Sequence, residues 1–327
     1  MTDDTAHVAL VQQPARVLDS AETMRRGATH IADAAARGAQ LIVFPETWVS
    51  CYPAWAFGAA GWDDPVARTW HARLLADAVV LGDADDLDDG LSPLRRAAQQ
   101  SGVTVVVGIN ERPTPASGTV FNSLVTIGPD GALRNVHRKL TPTHTERIVW
   151  GEGDGAGLRV LDTAVGRVGG LVCWEHFHPL ARQAMHAQDE QIHVAAWPDM
   201  PDMHHVASRM YAAEGRCFVL AVGQYLTVDD VPDDLLGLFR AGLGPSGDDP
   251  DVLFDGGSGV VGPDGSWLVP PVRGEATTIH AELPLVERDR MSLDLDVVGH
   301  YSRSDVFDLR VDRRRRAAAR FTDGDAL

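Results

Sequence analysis

Apolar positions along the chain fall into two rhythms. Short β-branched runs recur at HVALVQ (7–12), LIVF (41–44), VTVVVGI (103–109), SLVTI (123–127), VGGLV (168–172), IHVAA (192–196) and CFVLAV (217–222). Several are separated by stretches with the 3.6-residue spacing of an amphipathic helix. Such alternation predicts a layered α/β domain. The first helix is well marked: Asp19 and Glu22 have the spacing of a capping box, Met24, Ala28, Ile31 and Ala35 share a face, and Gly38 stands where the helix should stop. It delivers the chain into LIVFPE, whose apolar run has the character of a strand buried on both faces. Glu46 therefore sits at the carboxyl end of a central strand, and Cys173, after VGGLV, is placed likewise. That edge of an α/β sheet is where ligands bind.

Two segments echo each other: NSLVTIGPDGAL (122–133) and GGSGVVGPDGSWL (256–268) each follow a β run with a Pro-Asp-Gly turn, predicting two hairpins. Their separation exceeds ~100 residues, whereas solenoid units run roughly 20–50, so this is not a repeat protein. Asp-rich stretches at 83–89 and 229–251 are expected to be solvated loops, and GEGDGAG (151–157) a flexible turn beside the site. The latter lacks the GK[ST] ending of a phosphate cradle. The expected organisation is a single domain over residues 1–310 and a tail over 311–327, whose RRRR run (313–316) follows a strand-like segment and neutralises acidic neighbours.

Composition narrows the function. With 44% apolar residues among 327, the chain can build a sizeable core. Its 46 acidic against 29 basic residues give a net charge of −17, a field that repels nucleic-acid backbones and anionic membranes. Three cysteines, an odd number, and a start (MTDDTAHVAL) without a basic region fit free thiols in a reducing compartment, so a cytoplasmic location is expected.

The candidate chemistry centres on Cys173. Alone at a strand end, a cysteine reads first as a small core residue. Here Trp174, Glu175 and His176 follow at once, and a sharp strand-to-loop turn would present the sulfur and free the next backbone N–H. A thiol needs a base and a cation to attack at neutral pH. Glu46 is a candidate base and Lys139 a candidate cation; Lys139 is the only lysine in a chain that otherwise uses arginine, which suits a need for a compact point charge. His144, His176 and His178 match no zinc-ligand spacing.

The fragments FPE (44–46), HRKL (137–140) and CWE (173–175), in a run from HVALVQ to HYSRSDVF (300–307), resemble the nitrilase superfamily of carbon–nitrogen hydrolases. PETWVSCYP (45–53), KLTPTHTERIVWGEGDG (139–155) and CWEHFHPLARQAMHAQ (173–188) resemble its true nitrilase branch. The resemblance implies a four-layer αββα sandwich in which Glu46, Lys139 and Cys173 meet, with Glu146 as a second carboxylate. It also implies a pocket lined by Tyr52, Thr143, Trp150, Trp174, Trp197 and Pro198, no metal or other cofactor, and a homo-oligomer built from dimers and extending to spirals. The implied reaction converts an organic nitrile to its acid and ammonia through a thioimidate and a thioester; the same triad acting on cyanide or an amide is the alternative. The chain departs from the family pattern at Cys51 and Asp189, where glycine is usual, at His176, where asparagine is usual, and at Ser304, where proline is usual. Of these, His176 is expected to affect substrate range.

Overall fold

The computed structural model describes residues 5–59, 61–243 and 249–319. The period-two runs form β1 (Thr5–Gln12), β2 (Leu41–Val43), β3 (Thr104–Glu111), β4 (Phe121–Ile127), β5 (Leu133–Arg138), β6 (Leu161–Thr163), β7 (Gly166–Val172), β8 (Ile192–Ala196), β9 (Phe218–Val222), β10 (Tyr225–Thr227), β11 (Val252–Val261), β12 (Trp267–Arg273) and β13 (Thr277–Pro284). They make two sheets. One runs β13-β1-β2-β3-β4-β5, the other β10-β11-β9-β8-β7-β6, with β12 paired to β11. The pairs β1/β2, β2/β3, β7/β8 and β8/β9 are parallel, and each sheet is finished by antiparallel strands.

The helices are α1 (Ser20–Ala36), α2 (Pro65–Asp77), α3 (Ser92–Ser101), α4 (Pro179–His186), α5 (Asp202–Gly215), α6 (Asp233–Leu243) and α7 (Val286–Met291). Strand alternation sorts the core into layers. On β1, Ala9 and Val11 pack with Ile31 of α1 and Leu94 of α3, whereas Val8 and Leu10 face the second sheet and join Leu171, Val194 and Leu220. The far side of the second sheet is covered by Ala184 and Met185 of α4 and Ala207 and Tyr211 of α5. The result is helices, sheet, sheet, helices: the four-layer αββα sandwich expected. No helix among the described residues is long and apolar enough to cross a membrane.

Both Pro-Asp-Gly hairpins form, β4 to β5 and β11 to β12. Half of the predicted capping box does. Asp19 accepts from the Glu22 N–H at 3.0 Å, but the Glu22 carboxylate turns to Arg25 and Arg26 instead of back to the cap. Three expectations need correction. The 229–251 stretch is not simply a solvated loop: α6 occupies 233–243 and buries Leu235 and Phe239 in a cluster with Tyr52, Trp55, Trp70 and Trp150. Its residues 244–248 lie outside the described residues. The GEGDGAG segment is packed: the Gly153 N–H bonds the Lys139 carbonyl at 2.9 Å, and Asp154 caps the following turn and binds Arg315 and the Arg316 N–H. The arginine run thus meets acidic neighbours, Asp312 as well as Asp154, but the segment directly before it, 308–312, is not a strand.

Candidate active site

The ends of β2, β5 and β7 bring Glu46, Lys139 and Cys173 together, and the turn 144–148 adds Glu146. Ligand atoms of Glu46, Glu146 and Cys173 all lie within 4.8 Å of one another. The Lys139 ammonium stands between the carboxylates, 3.0 Å from Glu46 Oε1 and 2.7 Å from Glu146 Oε2. All four side chains are buried. A metal ion held by this cluster would have to displace an ammonium that already neutralises it.

Local backbone accounts for the aim of each group. Cys173 follows β7 directly and has φ +52°, a left-handed conformation uncommon for a non-glycine residue. The anticipated sharp turn is therefore present, opening a short 3-10 helix over Cys173–Phe177. Glu175 closes it: its carboxylate accepts from the Val172 N–H at 2.7 Å, the Leu140 N–H at 2.8 Å and His137 Nε2 at 2.9 Å. It thereby ties the turn carrying Cys173 to the segment carrying Lys139. After β2, the chain bends over β3 at Gly108, where a Cβ would lie 2.3 Å from the Pro45 carbonyl oxygen and 2.4 Å from the Thr47 nitrogen. Only glycine permits that approach.

Several supporting residues were not picked out from sequence. The Asn122 side chain donates to Glu46 Oε1 at 2.6 Å, and the Asn122 backbone carbonyl accepts from the Lys139 backbone N–H at 2.8 Å. Directly opposite in the β3/β4 ladder, Asn110 holds Trp150 Nε1 and the Cys51 carbonyl, each at 2.7 Å. Gln224 donates to the Glu46 carbonyl. The available signal was a pair of asparagines inside otherwise apolar strand runs, since a buried amide demands partners.

Electrostatics follow from burial. Desolvation lifts the Glu46 carboxyl from an ordinary 4.5 to about 7; Lys139 opposes this and Glu146 adds to it. Burial, with Glu46 beside it, pushes the Cys173 thiol well above its ordinary value despite Lys139. Burial alone would depress Lys139, yet Cys173, Glu46 and Glu146 together hold it above its usual range, a permanent cation. The resting arrangement is a neutral thiol beside a carboxylate poised near neutrality. Glu46 Oε2, buried and without a hydrogen-bond partner among the described residues, is free to take a proton.

The expected lining residues divide. Tyr52 is buried and donates to Glu146 Oε1 at 2.8 Å, and Trp150 packs edge-on to it with the Lys139 ammonium 5.6 Å from its ring centroid. Thr143 and Trp174 line a cleft of about 380 Å³ with Leu140, Pro142, Arg147 and His178. Cys173, Glu46 and Lys139 are not among its walls. Pro198 is buried, and Trp197 is a core aromatic, its ring stacked against His176 and His204 and its Nε1 bonded to Ser208. His176 lies behind Cys173 and bonds its carbonyl at 2.6 Å, so an effect on substrate range would act through Cys173. His144 and His178 line the cleft while His176 does not, so the three histidines do not converge. Cys51 and Cys217 are buried free thiols, and Asp189 has the φ of +54° that suits the glycine usual there.

The profile of the carbon–nitrogen hydrolase family matches residues 7–291. An aliphatic nitrilase of Rhodococcus rhodochrous is 34% identical, over 97% of this chain and 82% of its own. A nitrilase of Pseudomonas syringae pv. syringae is 37% identical, over 91% of this chain and 87% of its own. In fold, the chain is similar to a carbon–nitrogen hydrolase from Helicobacter pylori, with a TM-score of 0.66 at 18% identity, covering 89% of this chain and 93% of that one.

Proposed function

The chain belongs to the carbon–nitrogen hydrolase family, and from that premise we propose that it is a nitrilase with Cys173 as nucleophile, Glu46 as general base, Lys139 as the charge-stabilising cation and Glu146 as the group that orients Lys139. The observation that carries this reading is the convergence of a thiol and two carboxylates within 4.8 Å around a buried ammonium. A scaffold would have no physical use for it.

Glu46 takes the thiol proton as Cys173 Sγ attacks the nitrile carbon, and the proton passes to nitrogen, giving a thioimidate. Water, deprotonated by Glu46, adds to that carbon; nitrogen gains protons, the C–N bond breaks and ammonia leaves a thioester. A second water cleaves the C–S bond, releasing the acid and restoring the thiol. Two waters are consumed for one acid and one ammonia. Lys139 stabilises negative charge developing on the nitrogen or oxygen, an effect that is large in a dry site.

The names of the relatives make aliphatic nitriles the first substrates to test. We further propose a single catalytic domain ending near residue 310, a tail after it, a cytoplasmic location and a dimer-based homo-oligomer. Ammonia and acid released from a panel of nitriles, by wild type and by Cys173→Ala, test the activity. Acid and ammonia in equal amounts from wild type alone support it; accumulation of amide, or turnover of cyanide or amides only, refutes it.

A further inference from the structure

Behind the nucleophile runs a buried file of polar side chains that the proposed chemistry does not use. His176 Nδ1 lies 2.6 Å from the Cys173 carbonyl oxygen, and His176 Nε2 lies 2.9 Å from His193 Nε2. His193 Nδ1 lies 2.8 Å from Glu190 Oε1, and Tyr211 donates to Glu190 Oε2 at 2.6 Å. All four side chains are buried between the second sheet and α5. The His193 ring stacks on Tyr211 with centroids 3.7 Å apart, and His176 stacks on Trp197.

Counting protons along this file gives a definite total. It contains three contacts in series, and each needs one hydrogen. The Cys173 carbonyl only accepts, so His176 must carry its proton on Nδ1. Its Nε2 then accepts, and His193 must carry its proton on Nε2. His193 Nδ1 then either accepts from a protonated Glu190 or carries a second proton of its own against an ionised Glu190. Two neutral imidazoles supply two protons, and the third must be titratable. Without it, two lone pairs face each other at hydrogen-bond distance somewhere in the file.

We propose that Glu190, His193 and His176 are positioning residues for Cys173, forming a one-proton chain whose far end fixes the carbonyl of the strained residue that carries the sulfur. The proposal rests on Cys173 being the nucleophile. The surroundings place the third proton on Glu190: burial lifts its carboxyl to about 7 against the pull of Tyr211 and His186, while burial and His186 push His193 well below its ordinary value. The groups facing this file are Tyr211 and His204 on α5, His186 on α4 and Cys217 ahead of β9, with Glu175 near both histidines and His137 near His193. His186 is 3.8 Å from Glu214, which pairs with Arg182, and Arg182 donates to the His176 carbonyl.

Protonated Glu190 has a neutral counterpart. Glutamine places an N–H toward His193 Nδ1 and a carbonyl toward the Tyr211 hydroxyl, and it cannot lose its proton. The experiment compares wild type, Glu190→Gln and Glu190→Ala in two readouts. One is kcat and KM for a hydrolysed nitrile from pH 6 to 9; the other is the rate at which iodoacetamide alkylates Cys173, followed by peptide mass. We expect wild-type kcat to rise as Glu46 ionises and then to be cut back as Glu190 loses its proton, and Glu190→Gln to lose only that alkaline decline while keeping wild-type kcat and alkylation at pH 6. Glu190→Ala should lower both at pH 6 by about tenfold with little change in KM, the effect of leaving one buried contact unmade. Equal losses in the two variants, or an unchanged alkaline decline in Glu190→Gln, would overturn the proposal. Should Glu190→Ala not fold, the pH profile of Glu190→Gln decides alone. If no nitrile is hydrolysed yet the alkylation rates separate as described, the functional reading fails and the positioning chain stands.

Discussion

Replacing Glu46 by glutamine separates activity from stability in a way that the buried cluster makes calculable. Glu46 is fully buried and its carboxyl titrates near 7 in the folded chain, against an ordinary 4.5. The folded state therefore binds the proton more tightly than the unfolded one. Below the ordinary value both states are protonated and the group contributes nothing. As pH rises toward 7 the unfolded chain ionises first, and fold stability falls until both states are charged. With about 1.4 kcal/mol for each tenfold difference in proton affinity, the charge on Glu46 costs about 3 kcal/mol at pH 8 and under about 1 kcal/mol at pH 5. Glutamine mimics the protonated form. Its carbonyl still accepts from Lys139 and Asn122, and its amide takes the place of the unpartnered Oε2. Glu46→Gln should therefore resist denaturant better than wild type by up to about 3 kcal/mol at pH 8, with most of that gain absent at pH 5. Ammonia release should meanwhile fall by about 100- to 10,000-fold, the usual loss on removing a general base. A variant less stable than wild type at pH 8, or a gain equal at both pH values, would refute the account of the cluster as a charge held at the expense of stability.

Other substitutions test neighbouring links. Lys139→Met leaves two buried carboxylates without their cation and should lower stability by about 3–5 kcal/mol, read by equilibrium unfolding, as well as abolish turnover. Gly108→Ala forces a Cβ against the Pro45 carbonyl and the Thr47 nitrogen; a loss of about 1–3 kcal/mol is expected, with a fall in kcat because Glu46 moves with that backbone. Tyr52→Phe deletes the hydrogen bond to Glu146 and should cost about 1 kcal/mol, measured by the same unfolding assay, with activity reduced but present.

A layered α/β domain with Glu46 and Cys173 at strand ends was legible from local pattern, whereas the four-layer sandwich and the meeting of Glu46, Lys139 and Cys173 were implied by the resemblance carried by FPE, HRKL and CWE. What escaped is long-range or masked by composition. The Asp-rich 229–251 stretch hid α6, although Leu235 and Phe239 stand one helical turn apart. Asn110 and Asn122 looked like interruptions of strands, since nothing local says that Trp150 and Glu46 will come to them. The partners of His176 come from β8 and from the residues just before it, a relation only the folded chain reveals. Trp197, expected from the resemblance to line the pocket, is buried with its ring stacked on His176 and His204, and neither neighbour adjoins it in sequence.

Asn110 and Asn122 are a directly opposed pair, and that pairing has a consequence for how catalytic geometry is inherited. One asparagine holds Trp150 and the other holds Glu46, so the spacing between those two side chains is dictated by the ladder joining β3 to β4. A slip of one residue in β4 would turn Asn122 to the opposite face of the sheet and unhook Glu46 while Asn110 kept Trp150. The hydrophobic alternation of β3 and β4 therefore acts as a ruler for the reaction centre. Evolution can vary the surrounding loops freely only while that ruler keeps its count.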